Sequence, residues 1–431
     1  GGAGSAGGGE AGLFVGVDFG TSGCRAAALD SGGAVVAETS AAYGPGAGPA
    51  EWRQALHDVV TQLPRRDEAA AICINGTSST VLLCSPDARD AALLPPLMYD
   101  YSCSPEAVAR CREMVPSPSH VAASSTSTLA KLWEWLLAGQ VPRGAKIAHQ
   151  ADWLAALLHG GDFVSDYHNA LKLGYDTEAL RWPDWLLREA SLAALLPERV
   201  AVPGERIGRV SAAASAWLGL PEGCAVAAGT TDSIAAFLAA GTSEVGEAVT
   251  SLGTTLAIKL RSLVRVEDAA SGVYSHRLGD SQWLVGGASN SGGGVLRQQL
   301  GDEAVARLTA QIDPEQDAGL DYYPLAAVGE RFPVYDPAMR PRLEPRPEDD
   351  ARFLHGLLEG IARIEARGFA RLEELGAPPV RRVLTAGGGA RNRPWRRIRE
   401  RLLGVPVEAA ARTQAACGTA LLARDGPALL G

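Results

Sequence analysis

The 431-residue sequence has no CxxC pair, and its seven cysteines (Cys24, Cys73, Cys84, Cys103, Cys111, Cys224 and Cys417) are scattered and odd in number. That pattern argues against a disulfide framework or a zinc cluster, and a reducing compartment is the expectation. No uninterrupted apolar run approaches the roughly 18 residues of a membrane span. Positive charge is in deficit: 40 Lys+Arg against 49 Asp+Glu leave a net charge of −9. This argues against a sequence-independent grip on phosphate backbones or anionic lipid, so neither nucleic acid nor membrane is expected as a partner. The Walker string GxxxxGK followed by Ser or Thr is missing, and so is GxGxxG after a strand; P-loop and Rossmann nucleotide sites drop out as readings. Nothing repeats at solenoid periods and no heptads run, which leaves a structural scaffold poorly supported.

What remains is the composition of an ordinary globular protein, 46% hydrophobic and 21% charged, with a length that allows two large domains or three of about 150 residues each. The first residues, GGAGSAGGGEAG, carry no Met and little to bury. Residues 1–11 are expected to form a disordered Gly/Ala-rich leader, either the remnant of a cleaved targeting segment or the edge of an expressed piece.

Leu13 to Val17 is a strand-like run that meets Asp18 and a Gly/Thr/Ser/Gly turn, and a second apolar run, Ala26 to Leu29, follows. The device recurs at Glu247 to Leu252, the turn Gly253-Thr254-Thr255, and Leu256 to Leu260. Two related halves, each opening with a β-hairpin, are expected, with a boundary near 240–246: a domain over 12–242 and another over 243–431. Strand-like Ala71 to Asn75 and Thr80 to Cys84 alternate with helical patterns at Glu106 to Met114, Leu129 to Leu137 and Asp184 to Leu196, which predicts an α/β fold. Apolar spacing predicts a helix over 351–375; the strand Val383 to Ala386, the loop Gly387-Gly388-Gly389 and a helix after Pro394 complete a unit of the kind that offers a ligand site.

Four strings carry chemistry. Asp18-Phe19-Gly20-Thr21-Ser22-Gly23 follows a strand: glycines let backbone N–H groups converge on phosphate, the hydroxyls of Thr21 and Ser22 add donors, and the carboxylate can hold Mg²⁺ through water. Read blandly, it is a hairpin turn. The same two readings apply to Ser251-Leu252-Gly253-Thr254-Thr255, and their joint occurrence at the start of two halves favours phosphate. In Gly229-Thr230-Thr231-Asp232-Ser233 the carboxylate is either a helix N-cap or a general base at a domain edge. In Ala386-Gly387-Gly388-Gly389-Ala390-Arg391-Asn392 the glycines allow a flat adenosine against bare backbone, with Asn392 on base or ribose; the alternative is a flexible connection.

These strings, in this order, resemble the FGGY family of carbohydrate kinases of the actin-like ATPase superfamily, over roughly Leu13 to Ala423. Asn75 to Cys84 and Ser165 to Asp176 look most like its ribulose/xylulose kinase branch in photosynthetic organisms. The resemblance implies an α/β protein of two actin-like (ribonuclease H-like) domains with a cleft between them, ATP and Mg²⁺, and a small-molecule sugar, D-ribulose ahead of D-xylulose. The rival readings are an actin-like nucleotide-binding regulator and a polyol kinase of the glycerol type. It implies Asp232 as catalytic base, Asp18 at Mg²⁺ or the sugar end, and Thr21, Ser22 and Gly23 facing Gly253, Thr254 and Thr255 across the β- and γ-phosphates. Gly387, Gly388, Gly389 and Asn392 would hold adenosine, and Thr77 and Ser78 the sugar. Met98-Tyr99-Asp100-Tyr101 departs from the aromatic and acidic sugar-contact motif of larger relatives. A plastid stroma or the cytoplasm is the expected location.

Other features read as structural. Trp133, Trp135, Trp182 and Trp185 are expected in packing; the arginines from Arg391 to Arg401 are expected on one solvated helix face; Cys24 is expected as a buried, inert thiol.

Overall fold

The structure, a computed structural model, describes residues 12–44, 46–85, 88 and 90–431. The leader expected over residues 1–11 lies outside the described residues. The chain divides into two compact units: one runs to Ala239 and takes in Gln414–Leu429, the other comprises Ala240–Thr413 with Leu430–Gly431.

In the first unit, β1 (Leu13–Phe19), β2 (Gly23–Leu29), β3 (Val35–Ala42), β4 (Ala69–Gly76), β5 (Arg206–Arg209) and β6 (Ala225–Thr231) form a sheet in the order β3-β2-β1-β4-β6-β5. Strands β1, β4 and β6 are parallel; β2, β3 and β5 pair antiparallel at the flanks. The period-2 alternation of β1 sends Val15, Val17 and Phe19 into a core with Trp52, Leu56 and Val59 of helix α1 (Pro49–Thr61). Helix α1 starts at Pro49, where a missing N–H costs nothing, and Glu51 bonds back to the Gly48 amide at 2.9 Å. Further helices are α2 (Thr128–Leu137), α3 (Gln150–His159) and α4 (Asp232–Ala240).

The second unit repeats the plan. Strands β7 (Glu247–Leu252), β8 (Leu256–Ser262), β9 (Tyr274–Arg277), β10 (Trp283–Ser289), β11 (Arg382–Ala386) and β12 (Val407–Ala409) lie in the order β9-β10-β8-β7-β11-β12, with β7, β11 and β12 parallel. In each unit an opening hairpin sits beside a parallel strand that arrives much later in the chain. Helix α5 (Gly293–Leu300) follows β10, and α6 (Asp350–Glu374) lays Leu354, Leu357, Leu358, Ile361 and Phe369 into the core under the sheet. Helix α7 (Arg393–Leu403) starts from an Asn392 cap whose carbonyl oxygen accepts from the Trp395 amide at 2.9 Å.

Three expectations need correction. Asp184 to Leu196 is not one helix but two single turns, Asp184–Leu187 and Ala190–Ala193, because Glu189 turns out of the helical region and its carboxylate takes the Ser191 hydroxyl at 2.6 Å. The arginines of α7 do not share one solvated face. Arg399 is fully buried, bonded to both Glu365 oxygens at 2.6 and 2.7 Å and to Thr385 Oγ1 at 2.7 Å, and Arg401 pairs with buried Glu359. Finally, the last helix, α8 (Ala415–Asp425), packs not with the second unit but on β1, β2 and β4 of the first. Gly16 makes that possible: a Cβ there would overlap the α8 backbone at Ala416 and Ala420.

The four tryptophans pack around Leu129, Leu132 and Leu186 in a satellite core of the first unit. All seven cysteines are buried thiols, and burial pushes the Cys24 thiol far up. Among the described residues no helix is long and apolar enough to cross a membrane.

Candidate functional site

Register brings the first-unit residues together. Asp18 on β1 lies opposite Asn75 on β4, and Asn75 lies opposite Thr230 on β6, so three neighbouring parallel strands end in a row of polar side chains. Carboxyl ends of parallel strands are where α/β sheets place ligands, because the backbone there opens into loops. Asp232 follows β6 directly as the first residue of α4, half-buried, with Oδ1 accepting from the Ser233 amide at 2.7 Å. It lies close enough to Asp18 for their charges to interact: burial first, then the Asp232 carboxylate, raises the Asp18 carboxyl to about 6, while Arg25 and an Asn75 hydrogen bond act the other way.

Several polar atoms here are buried and lack a hydrogen-bond partner among the described residues. They are Asp18 Oδ1, Asn75 Oδ1, Ser79 Oγ, Gln150 Nε2, Asn169 Oδ1 and Thr231 Oγ1. Such atoms are costly unless something satisfies them. Asn169 belongs to a single helical turn, Tyr167–Ala170, tied to β6 by His168 Nδ1 and Thr230 Oγ1 at 2.7 Å. Lys172 follows it; burial lowers its ammonium and the Asp232 carboxylate raises it.

The turn Thr77–Thr80 follows β4. Thr77 points inward, its Oγ1 2.5 Å from Thr80 Oγ1 and 3.2 Å from Gln150 Oε1, whereas Ser78 is half-buried at the crest. The β1–β2 loop is closed by a Gly20 amide to Gly23 carbonyl bond of 3.0 Å and braced by Tyr43, whose hydroxyl donates to the Gly20 carbonyl at 2.6 Å. Thr21 and Ser22 stand exposed on it.

In the second unit, the β7–β8 turn and the loop after β11 share a cavity of about 790 Å³. Gly253 and Thr254 contribute from the turn, Gly388, Gly389 and Asn392 from the loop, and Trp395 from α7. Gly387 holds a φ of 83° and a Cβ on it would press on the Leu252 carbonyl, so glycine is required there. Gly388 instead has open space where a Cβ would stand. Asn392 Nδ2 donates to Thr309 Oγ1 at 3.3 Å while its oxygen caps α7. Thr255 is exposed on the turn, its carbonyl accepting from the Gly253 amide at 3.2 Å.

Sequence reasoning missed Ser291-Gly292-Gly293-Gly294. The Gly293 and Gly294 amides donate to the Gly253 and Thr254 carbonyls at 2.9 and 3.0 Å, so this segment, at the start of α5, shapes the β7–β8 turn from behind. Three glycines in a row were its signal. It did not single out Gln150, Asn169 or Lys172 as site residues, although the last two lie in the Ser165–Asp176 stretch; the packing of α3 and the Tyr167–Ala170 turn brings them toward the strand ends.

Residues 248–424 match the FGGY family of carbohydrate kinases, C-terminal domain. This stretch is an FGGY carbohydrate-kinase domain. Among relatives, the xylulose kinase of Streptomyces coelicolor is 29% identical over 93% of this chain and 84% of that protein. The gluconokinase of Bacillus subtilis is 24% identical over 55% of this chain, and that match spans half of its own length. The solved xylulose kinase from Rhodospirillum rubrum superposes with a TM-score of 0.81 at 25% identity, covering 96% of this chain and 90% of that one. The chain therefore has the two-domain actin-like fold of these sugar kinases, and its residues 248–424 belong to a family of carbohydrate kinases, enzymes that use ATP.

Proposed function

We propose that this carbohydrate kinase transfers the γ-phosphoryl group of ATP to the 5-hydroxyl of a free ketopentose, D-ribulose ahead of D-xylulose, with Asp232 as general base. The observation that carries the reading is the set of unpartnered buried polar atoms at the ends of β1, β4 and β6, beside Asp18 and Asp232. A polyhydroxylated molecule supplies both donors and acceptors to such a set. Ser78 is the sugar contact at the crest of the turn, and Thr77 supports the turn from within.

The nucleotide belongs to the second unit on this reading. The cavity between Gly253-Thr254 and Gly388-Gly389 has room for adenosine, and the bare Gly388 backbone offers a flat surface to the base. The hydroxyls of Thr254 and Thr255 beside Gly253, and Thr21 with the Ser22 and Gly23 amides, are the donors offered to the β- and γ-phosphates. In the transfer, a bond forms between the sugar oxygen and the γ-phosphorus, the bond to the β-bridging oxygen breaks, the hydroxyl proton passes to Asp232, and ADP leaves. An ordinary carboxylate suffices as base because the transition state is loose and the proton departs late.

Mg²⁺ fits the residues present in a sparse way. Asp18 offers a buried carboxylate oxygen without a partner, and among the described residues no cluster of three or more His, Cys, Asp or Glu could cage an ion. That suits a cation that keeps its waters and takes phosphate oxygens. Bound with ATP, it neutralises phosphate charge, and Asp18 would be its protein anchor.

The test is a panel of ketopentoses, ketoheptoses, aldonic acids and polyols assayed for sugar-dependent ADP formation with Mg²⁺, run on the native chain and on Asp232→Asn. D-ribulose is expected to give the highest kcat/KM. The variant is expected to lose at least ~10²-fold in kcat while calorimetric ATP affinity stays within about twofold. Full turnover in the variant would remove the proposed base, and ADP formation indifferent to every sugar would remove the kinase reading.

A further inference from the structure

Lys131, on α2, is fully buried, and among the described residues its ammonium makes no ion pair; the Asp100 carboxylate acts on it only from beyond contact. Nζ donates instead to two backbone carbonyls, Ser79 at 2.7 Å and Met98 at 2.6 Å. A buried ammonium is expensive, and one satisfied by neutral carbonyls alone is held for what it organises.

What it organises is the turn after β4. The Thr80 amide bonds the Thr77 carbonyl at 3.2 Å, closing a four-residue turn in which Ser79, third in the turn, holds a φ of 65°. Glycine is the usual residue at such a position, and a serine there stores of order 1 kcal/mol of strain that the surroundings must offset. Gln150 grips one side of the turn: its amide donates to the Thr80 carbonyl at 3.0 Å and its side-chain oxygen accepts from the Thr77 amide at 3.0 Å. Lys131 grips the other side through the carbonyl of the strained residue itself. By holding Met98 as well, it fixes the spacing between the Ser78 crest and the segment Met98–Tyr101.

We propose that Lys131 is a positioning residue for sugar recognition, acting through the Ser79 carbonyl to hold Ser78 and the Met98–Tyr101 segment at the separation that a ketopentose requires. The proposal rests on the kinase reading above. Lys131 touches no substrate; it sets the geometry of residues that do. The Met98 carbonyl also accepts from the Tyr101 amide at 3.0 Å, so it is the Ser79 carbonyl, on the strained residue, that depends on Lys131; without the ammonium that carbonyl is buried and unpaired and the turn relaxes.

The test compares Lys131→Met, Lys131→Gln and Ser79→Gly with the native chain. Lys131→Met is expected to raise KM for the sugar about tenfold or more, leave KM for ATP within about twofold, and, with sugar present, form ADP in excess of sugar phosphate, because misplaced substrate excludes water poorly. Ser79→Gly keeps the positive φ without strain and is expected to change sugar KM by less than about threefold. Should Lys131→Met not fold, Lys131→Gln carries the same expectation at about half the loss on a logarithmic scale. Sugar and ATP constants rising together, or an unchanged sugar KM in a folded variant, would overturn the proposal. Amide hydrogen exchange over 77–81 and 97–101 keeps the two claims apart. Faster exchange in these segments of the variant, with no sugar turned over by the native chain, would sink the kinase reading and leave the clamp standing; unchanged exchange would sink the clamp.

Discussion

At the residue scale the decisive group is Asp18. Its carboxyl titrates near 6 instead of 3.8, with burial as the largest cause and Asp232 the second. A carboxyl that holds its proton more tightly folded than unfolded makes the fold lose stability as pH rises from about 4 to about 6, with the full cost persisting above. The two values differ by enough to cost up to about 3 kcal/mol. Asp18→Asn is therefore expected to be more stable than the native chain at pH 7, by a few degrees in Tm, and equal to it near pH 4; thermal unfolding at the two pH values checks this. The same substitution is expected to abolish kinase activity, which would mark Asp18 as a residue that trades stability for function. Asp18 itself was legible from the sequence as an acidic strand end before a glycine turn. The shift was not, because it comes from Asp232, more than 200 positions away, and from depth.

At the scale of elements, the loop Gly387-Gly388-Gly389 divides its labour in a way that three identical letters conceal. Gly387 sits at a φ of 83° against the Leu252 carbonyl, and Gly389 abuts the Leu252 and Trp395 side chains; Gly388 borders the cavity with nothing near. Gly388→Ala is expected to fold like the native chain but to raise KM for ATP several-fold, as the methyl group enters the space assigned to the base. Gly387→Ala is expected to cost about 1–3 kcal/mol of stability. Denaturant unfolding alongside ATP titration separates the two outcomes, and equal effects on both quantities would refute the division. Helix α7 teaches a related lesson. Its arginine-rich stretch read as a solvated face, yet Arg399 points inward because Glu365 of α6 and Thr385 of β11 wait there to pair it. A helical wheel cannot show a buried acid contributed by another element.

For the whole molecule, the return of α8 to the first unit is the feature with the largest consequence. The sheet face around Gly16, Ala27 and Leu29 is covered by Ala416, Cys417, Ala420 and Leu421 of that helix, with Gly418 allowing its backbone to approach α4 at Ala235. A chain ending at Thr413 is expected to lose the cooperative unfolding transition of the first unit, seen as hydrogen exchange without protection in β1 and β4, and adding a peptide of residues 414–429 is expected to restore it partly. Retained protection in β1 and β4 would show that the first unit folds without its final helix.

Local chemistry written in consecutive letters was open to reading from the sequence alone: two hairpins with hydroxyl-bearing turns, a glycine loop after a strand, a carboxylate opening a helix, and the alternation that makes both sheets. Each depends on neighbours within a few positions, where propensity and spacing act directly. Only the tertiary structure decided what depends on groups far apart in the chain. It determined which glycine faces the cavity, which arginine is buried, where Gln150, Asn169 and Lys172 converge, that Lys131 clamps a strained turn, and that the last helix completes the first sheet. Those outcomes turn on distance and depth, because burial and pairing energies are set by whatever the fold brings within a few ångströms.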